Sequence, residues 1–191
     1  MFGAQGDAYT RRMRSTTVTV RERLSQDLSR LVEVLAAQQP ATGYPVRWPL
    51  PFPVERFLVR ETELAAWVAV DRGGAVVGHV AVLDVAAGWE AEAWATGTDL
   101  PVGSLAVVGV LFVDPSLAGR GIGSTLLTTA ADAARDLGRV PVLDVVSESS
   151  RAVALYERHG WRLVGRARPA WLPRDRKPLR LMALLDHPAP G

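Results

Sequence analysis

The chain has 191 residues, a formal net charge of +2 and no cysteine. This length suits one domain with a substantial core, and the small net charge argues against a nucleic-acid-binding protein, which would carry a strongly basic face. The absence of cysteine excludes disulfides, thiolate metal sites and a cysteine nucleophile. No apolar run reaches the roughly 18 residues of a membrane span, and the N-terminus lacks a signal-peptide pattern. We therefore expect a cytoplasmic protein that binds neither nucleic acid nor membrane.

The N-terminal quarter combines a polar leader with one strand and one helix. Residues 1–15 lack periodicity, so we predict a disordered leader, then a single domain over residues 16–186 and a tail from 187 to 191. Residues 16–21 alternate as a strand. A helical stripe follows and is predicted to end at Pro40; its members are Leu24, Leu28, Leu31, Val32 and Leu35. Residues 41–53 are rich in proline and aromatic residues, which predicts an irregular segment.

A hairpin and a long connection come next. Residues 64–70 and 75–85 flank Asp71-Arg72-Gly73-Gly74, which predicts two antiparallel strands. Residues 89–94 suit one helical turn within the connection over residues 86–104. Glu90 and Glu92 in that turn would either line the pocket of a cationic ligand or form a solvated face, and the second is the more ordinary role.

The central feature of the sequence is a strand that leads through a glycine-spaced turn into a helix. Residues 107–113 are continuously apolar and predict a strand buried on both faces, which Asp114 and Pro115 end. Glycines follow at positions 119, 121 and 123. A helical face then runs to a closing Gly138; its members are Ile122, Leu126, Ala130, Ala133 and Leu137.

Glycines between a strand and a helix favour anion binding. The first amides of a helix have no internal partner and carry partial positive charge, and glycine lets a phosphate approach them. The alternative is a tight turn with no ligand. The dinucleotide fingerprint fails because Leu126 stands where its third glycine belongs, and the P-loop pattern fails because the chain's only lysine is Lys177.

The C-terminal third predicts a strand over residues 140–146, a helix ending at Gly160, and strands over residues 162–166 and 179–185. Ser149 or Ser150 would cap the helix. The basic residues between 166 and 177 suit a solvated loop. The predicted order is strand, helix, loop, three strands, helix, strand, helix and two strands, which indicates an α/β protein with a mixed sheet.

Two motifs in this order resemble the GNAT superfamily of N-acetyltransferases. Residues 118–123 match its pyrophosphate motif, Gln/Arg-x-x-Gly-x-Gly/Ala, except for Ala118 at the first position. Residues 152–161 match its Ala-x-x-Leu-Tyr-x-x-x-Gly-Phe/Trp motif. The resemblance implies a single-domain, mixed but mostly antiparallel sheet flanked by helices. It also implies acetyl transfer from acetyl-CoA to an amine by direct attack, without a metal. The acceptor would be a small amine or a protein amine, and a homodimer is a further expectation.

The same resemblance assigns roles to individual residues. Tyr156 corresponds to the general acid that protonates the leaving thiolate, although a Tyr that merely packs under the sheet is the alternative. The expected cofactor-binding residues are Leu111, Phe112 and Val113, which would pair with the pantetheine arm, and Gly119, Arg120, Gly121, Ile122, Gly123 and Ser124, which would surround the phosphates. Ser149, near the start of the last predicted helix, is a further expected cofactor-binding residue.

Three departures from the family pattern leave the base and even the activity open. Ala118 replaces the motif's leading side chain, Ser149 stands in for a frequent asparagine, and Val107 occupies the place of a carboxylate base found in some members. His79 titrates in a suitable range for a base, but a single histidine in an apolar strand is more often structural. An enzyme for longer acyl chains and an inactive CoA-binding sensor or partner protein are the alternatives.

Overall fold

A seven-stranded sheet organises the protein. The computed structural model describes residues 18–85 and 89–185. The strands are β1 Thr19–Glu22, β2 Glu63–Val70, β3 Val76–Asp84, β4 Leu105–Val113, β5 Val140–Val145, β6 Arg162–Ala167 and β7 Leu179–Ala183. The helices are α1 Leu28–Thr42, α2 Val54–Leu58, α3 Trp89–Thr98, α4 Ile122–Asp136 and α5 Ser150–Arg158.

The strand order is β1-β2-β3-β4-β5-β7-β6. Each neighbouring pair is antiparallel except β4 and β5, which are parallel. A crossover through α4 joins these two strands, as a parallel pair requires. This mixed, mostly antiparallel sheet confirms the predicted fold class.

Helices cover the sheet through three apolar clusters. One cluster joins α4 to the central strands through Leu126, Leu127 and Ala130. A second lies under α1 and α2 around Leu31 and Phe57. The third surrounds Trp94 of α3 and reaches β5 and β7. The middle of the sheet is therefore packed on both faces.

The predicted order of strands and helices is confirmed, with two additions. α2 was not predicted, and α3 extends over ten residues where one turn was expected. α1 continues through Pro40, where one helical hydrogen bond is lost because proline has no N–H, and ends at Thr42 before Gly43, whose φ of 69° is left-handed. The predicted leader, the tail and the first residues of the first strand lie outside the described residues.

The buried face of α4 differs from the predicted one. Ile122, Leu126 and Ala130 are buried as expected, but Leu137 is 54% exposed and Ala133 is only partly buried. Leu127, Ala131 and Ala134 are buried instead. The predicted set was wrong at its C-terminal end because α4 contacts β2, β3, β4 and β5 together, a broader surface than one narrow stripe covers.

β4 is the strand around which the sheet opens. It pairs with β5 from Leu105 to Val107, opposite Val140 to Val142, and no later pair is formed in the described chain. Beyond that point β4 pairs with β3 and β5 pairs with β7, so a gap opens between β4 and β5. The expectation that residues 107–113 are buried on both faces was therefore wrong: the odd-numbered ones are partly exposed.

Candidate active site

The gap between β4 and β5 forms a cleft of about 1760 Å³. Its walls come from residues 107–113 of β4, the turn after β4, the end of β5, α5, and the loop between α1 and α2. A volume of this size exceeds the few hundred Å³ of a pocket for a small metabolite. The cleft is large enough for a long ligand that reaches from the glycine turn to the far side of the sheet.

The glycine turn presents open backbone to one end of the cleft. Gly119 and Gly121 have φ values of 78° and 84°, a conformation that glycine adopts without strain. A Cβ added at either position would meet no atom within 4 Å, so the space in front of them is free. Gly121 caps α4 and supplies no side-chain hydrogen bond to the first amides of the helix. These amides are available to an anion.

Asp144 lies in the middle of the cleft, near the end of β5. It follows Val142 by two residues and so points to the same face of the sheet, the face that packs against Trp94 of α3. Its carboxylate reaches solvent through the cleft and has no ion pair among the described residues. The surrounding protein nevertheless desolvates it, and this raises its pKa, an effect that the charge of Arg60 opposes.

A second carboxylate, Glu90 of α3, lines the same cleft. Its pKa is raised by partial burial and by the negative charge of Asp144, while Arg60 lowers it. Arg60 lies at the lip of the cleft, with its guanidinium 4.8 Å from the centre of the Phe57 ring. Glu92, in contrast, is exposed. The sequence left open whether Glu90 and Glu92 line a pocket or form a solvated face. Glu90 lines the pocket, and Glu92 lies on the solvated face.

Tyr156 projects from α5 into the cleft and is partly buried. Its ring packs against Trp161, with 6.1 Å between the ring centres and an angle of 57°. Burial raises the pKa of its hydroxyl, and the nearby Tyr44 and Asp144 add to the increase. The phenol therefore keeps its proton across the physiological pH range and acts as a hydrogen-bond donor.

Tyr44 lines the opposite wall, in the proline-rich loop after α1. The loop is held by buried Gln38, whose side-chain amide donates to the Tyr44 carbonyl and accepts from the Thr42 hydroxyl at 2.6 Å. Burial raises the pKa of Tyr44, and the charge of Arg60 opposes the increase.

Val110 has a φ of 52°, which is rare for a β-branched residue. The register shows why: His79 pairs with Phe112 and Ala81 pairs with Gly109, so three residues of β3 lie opposite four of β4. One extra residue in β4 makes a β-bulge, which re-aims backbone groups and often lies beside an active site. Such a conformation costs about 1–3 kcal/mol and persists only where surrounding contacts hold it.

His79 does not line the cleft, and its candidacy as a base was wrong. Its side chain is fully buried, its ring stacks on Phe112, and burial lowers its pKa to about 4. A ring that is neutral, enclosed and hydrogen-bonded on both nitrogens has no access to a substrate amine. The structural alternative given above is the correct one.

The structure brings most of the predicted site residues into one cleft. The residues on its wall are Leu111, Phe112, Val113, Gly119, Gly121, Ile122, Gly123, Ser124, Ser149 and Tyr156. Arg120 is exposed and does not line the cleft. Ser149 begins α5 without a side-chain capping bond. The sequence analysis missed Asp144, although an acidic residue inside the apolar run Val-Pro-Val-Leu-Asp-Val-Val was a usable signal. Tyr44 belongs to the aromatic residues of the predicted irregular segment 41–53, and it lies on the cleft wall.

Comparison with known proteins defines the class. The profile of the acetyltransferase (GNAT) family matches residues 30–161. The match covers more than half of the chain, so the protein belongs to the GNAT family, and the resemblance drawn from the two motifs is confirmed.

Solved structures with this fold include proteins with different acceptors. A protein assigned as a phosphinothricin N-acetyltransferase is 20% identical, with 89% of this chain and 100% of that chain covered and a TM-score of 0.68. The ribosomal-protein-S18-alanine N-acetyltransferase of Escherichia coli is 18% identical, with 92% and 99% covered and a TM-score of 0.62. A Salmonella typhimurium protein assigned as an acetyltransferase and solved with its cofactor acetyl-CoA is 18% identical, with 92% and 99% covered and a TM-score of 0.63. No curated protein matches the sequence.

Two further observations concern the described residues alone. Within residues 18–85 and 89–185, no group of three or more His, Asp and Glu side chains is placed to hold a metal ion. In the same part of the chain, no helix is long and apolar enough to cross a membrane.

Proposed function

We propose that the protein transfers an acetyl group from acetyl-CoA to a primary amine by direct attack. The observation that carries this proposal is the shared cleft. It is faced by a glycine turn with open amides, the edge of β4 that β5 leaves unpaired, a carboxylate and a protonated phenol. Family membership supports acetyl-CoA as the donor. The acceptor's identity, a homodimer and the cytoplasmic location stay predictions from the sequence.

The cofactor-binding half of the proposal follows from backbone groups. The amides at the start of α4 and around Gly119 and Gly121 would hold the pyrophosphate, since nothing occupies the space before them. The free edge of Leu111–Val113 would pair with the pantetheine amides, because β5 has already left β4 at this point. Loss of the motif's leading side chain at Ala118 removes no backbone donor. Arg120 is exposed between Gly119 and Gly121, and its contact with the phosphates stays a prediction.

Asp144 is the base in this proposal. It accepts a proton from the ammonium form of the acceptor, and the freed amine nitrogen attacks the acetyl carbonyl carbon. The carbonyl electrons move to oxygen and then return as the carbon–sulfur bond breaks. The new amide nitrogen gives up its second proton, which restores the Tyr156 phenol after the phenol has protonated the thiolate, and Asp144 releases the first proton to solvent. A carboxylate whose pKa is raised by desolvation, as that of Asp144 is, is a better proton acceptor near neutral pH than an ordinary one.

Tyr156 completes the reaction by donating its phenolic proton to the departing CoA thiolate. Its pKa is raised, so the proton is present before the carbon–sulfur bond breaks. Asp144 and Glu90 together make the acceptor end of the cleft attractive to a cation, which suits an amine that arrives protonated. Arg60 at the lip would favour acceptors that also carry an anionic group.

A thiol-release assay over a panel of amines tests the proposal directly. Because the chain has no cysteine, a thiol reagent reports only the CoA that is released. The panel should include diamines, amino acids, the amides of those amino acids, and short peptides with free N-termini. We expect turnover with at least one amine and thermal stabilisation by acetyl-CoA of about 2.7 kcal/mol at 100 times its dissociation constant.

NAD and ATP serve as controls for the stabilisation and should raise the melting temperature far less. Absence of any shift with millimolar acetyl-CoA or CoA would overturn the cofactor assignment. Tight CoA binding with no turnover of any amine would favour the sensor instead.

A further inference from the structure

A buried polar chain runs from the edge of the sheet to the bulge in β4. Arg23, just after β1, forms a two-pronged ion pair with Glu63 at the start of β2, with distances of 2.6 and 3.0 Å. The Arg23 and Glu63 side chains are 9% and 16% exposed. Arg23 also donates to the Leu58 carbonyl at 2.9 Å. Its guanidinium is therefore fixed from several directions.

The next member of the chain is His79. Its Nε2 lies 3.2 Å from Nη1 of Arg23, and its Nδ1 lies 2.9 Å from the Val110 carbonyl oxygen. A guanidinium only donates and a carbonyl only accepts. Nε2 must therefore be the unprotonated nitrogen, and Nδ1 must carry the hydrogen. The partners fix one neutral tautomer of the ring.

The bond to Val110 acts on the bulge itself. The Val110 carbonyl points toward β3 and accepts from His79. Val110 has no register partner in β3 and lines the cleft, so the bulge leaves its amide for the cleft. Val110 holds a left-handed conformation that is unfavourable for valine. A conformation of this kind needs surrounding contacts to maintain it, and His79 supplies a directed one.

We propose that His79 is a positioning residue for acyl transfer: together with Arg23 and Glu63 it holds the β4 bulge so that the Val110 amide stays in the cleft and donates to the acyl carbonyl oxygen. This inference rests on the proposed function. In the attack step the oxygen gains negative charge, and a fixed amide donor stabilises that charge more than it stabilises the neutral carbonyl. The expected signature is a loss of turnover without loss of CoA binding.

Paired variants test this role. His79→Leu fills the space but donates nothing to Val110, whereas His79→Asn keeps an N–H close to the position of Nδ1. We expect His79→Leu to lower kcat by about 10²-fold, near the low end for removal of one oxyanion donor, with the dissociation constant of CoA within threefold. His79→Asn should restore most of kcat. If His79→Leu does not fold, His79→Gln, whose amide reaches toward Nε2, replaces it.

A matched control separates positioning from general destabilisation. Val80→Ala opens a cavity at the neighbouring residue, which is fully buried in the other face of the sheet, and should lower the melting temperature while keeping kcat. Nuclear magnetic resonance of the ligand-free wild type should show a protonated Nδ1 on His79 and a displaced Val110 amide signal in His79→Leu.

Each result decides one question. An active wild type with unchanged kcat in folded His79→Leu, or equal kcat losses in His79→Leu and Val80→Ala, would overturn the positioning role while leaving the proposed function intact. An Nδ1 without a proton would also overturn it. A wild type that acetylates no amine would overturn the proposed function and, with it, the positioning role of His79.

Discussion

The two flanks of β4 use polar groups in opposite ways. On the β3 side, Glu63 pairs with Arg23, Arg23 donates to His79, and His79 donates to the Val110 carbonyl. On the β5 side, pairing stops at Val107 and Asp144 faces the cleft without an ion pair among the described residues. The β3 flank satisfies its polar groups within the fold. The β5 flank leaves its polar groups open to the cleft, where a ligand can bond to them.

The two flanks of β4 therefore have different roles: the β3 flank holds the strand in place, and the β5 flank faces the reacting groups. A carboxylate that the protein desolvates without pairing, such as Asp144, is costly, so a protein retains one where a ligand completes it, as at catalytic sites. The satisfied flank fixes the geometry that the open flank needs. Changes on the open flank should therefore affect the reaction, and changes on the closed flank should affect stability and the placement of the Val110 amide.

The largest expected effect is on the open flank. Asp144→Asn keeps the shape of the side chain but cannot accept the amine proton, so kcat/KM should fall by about 10³-fold. The wild type should lose activity as pH falls through the raised pKa of Asp144, because protonation removes the base. The pH–rate profile of the variant should lack this decrease. Kinetics across pH measure both. Glu90→Gln is the control. An equal loss of kcat/KM in Glu90→Gln would mean that Asp144 acts through its negative charge and not as the base.

On the closed flank we expect a pH effect on stability. His79 has a pKa of about 4 in the folded protein against about 6.5 when unfolded. The unfolded state therefore binds the proton first, and this contribution is complete above pH 6.5 and is lost as pH falls toward 4. The difference amounts to about 3 kcal/mol of unfolding free energy.

Urea unfolding at pH 7 and pH 4.5 measures this contribution. His79→Asn does not titrate and should lose less stability over the same interval. The ion pair of Arg21 with the largely buried Asp27 is present in both proteins and cancels in the comparison. Parallel losses in wild type and variant would contradict the assignment of a neutral His79.

A somewhat smaller effect is expected at Tyr156. Tyr156→Phe keeps the ring that packs on Trp161 and removes the proton for the thiolate, so kcat should fall by about 10²-fold. CoA affinity should change by no more than severalfold. The defect should ease as pH rises past about 8.5, where the thiolate needs no proton. Steady-state kinetics at pH 7 and 9 check this, and wild-type turnover in the folded variant would exclude Tyr156 from the mechanism.

The smallest expected effect concerns the glycine turn. A Cβ at Gly123 would lie 3.7 Å from Leu155 and 3.9 Å from Val113, ordinary contact distances, so Gly123→Ala should fold. The methyl group would crowd the phosphates, and the KM for acetyl-CoA should rise about tenfold. S-acetylpantetheine lacks the pyrophosphate and should react as with wild type. Thr128→Ala, an exposed substitution on the same helix, is the control.

The sequence by itself determined the parts of this protein that depend on local pattern. Apolar runs and turn residues predicted the order of strands and helices because both signals act over a few residues. The glycine spacing and the Leu155–Tyr156 motif indicated the family, because each needs a fixed local geometry. The short α2 has no strong periodicity, and its place was not predicted.

The tertiary structure decided which polar residues meet. Asp144 and Tyr156 are close in sequence, but Tyr44, Glu90 and Arg60 join them only because β5 leaves β4 after Val107. His79 was ambiguous in sequence because burial, which lowers its pKa, comes from Phe112 and other residues distant along the chain. The bulge at Val110 depends on the register of two paired strands. Register and burial are properties of contacts between segments, and no single segment encodes them.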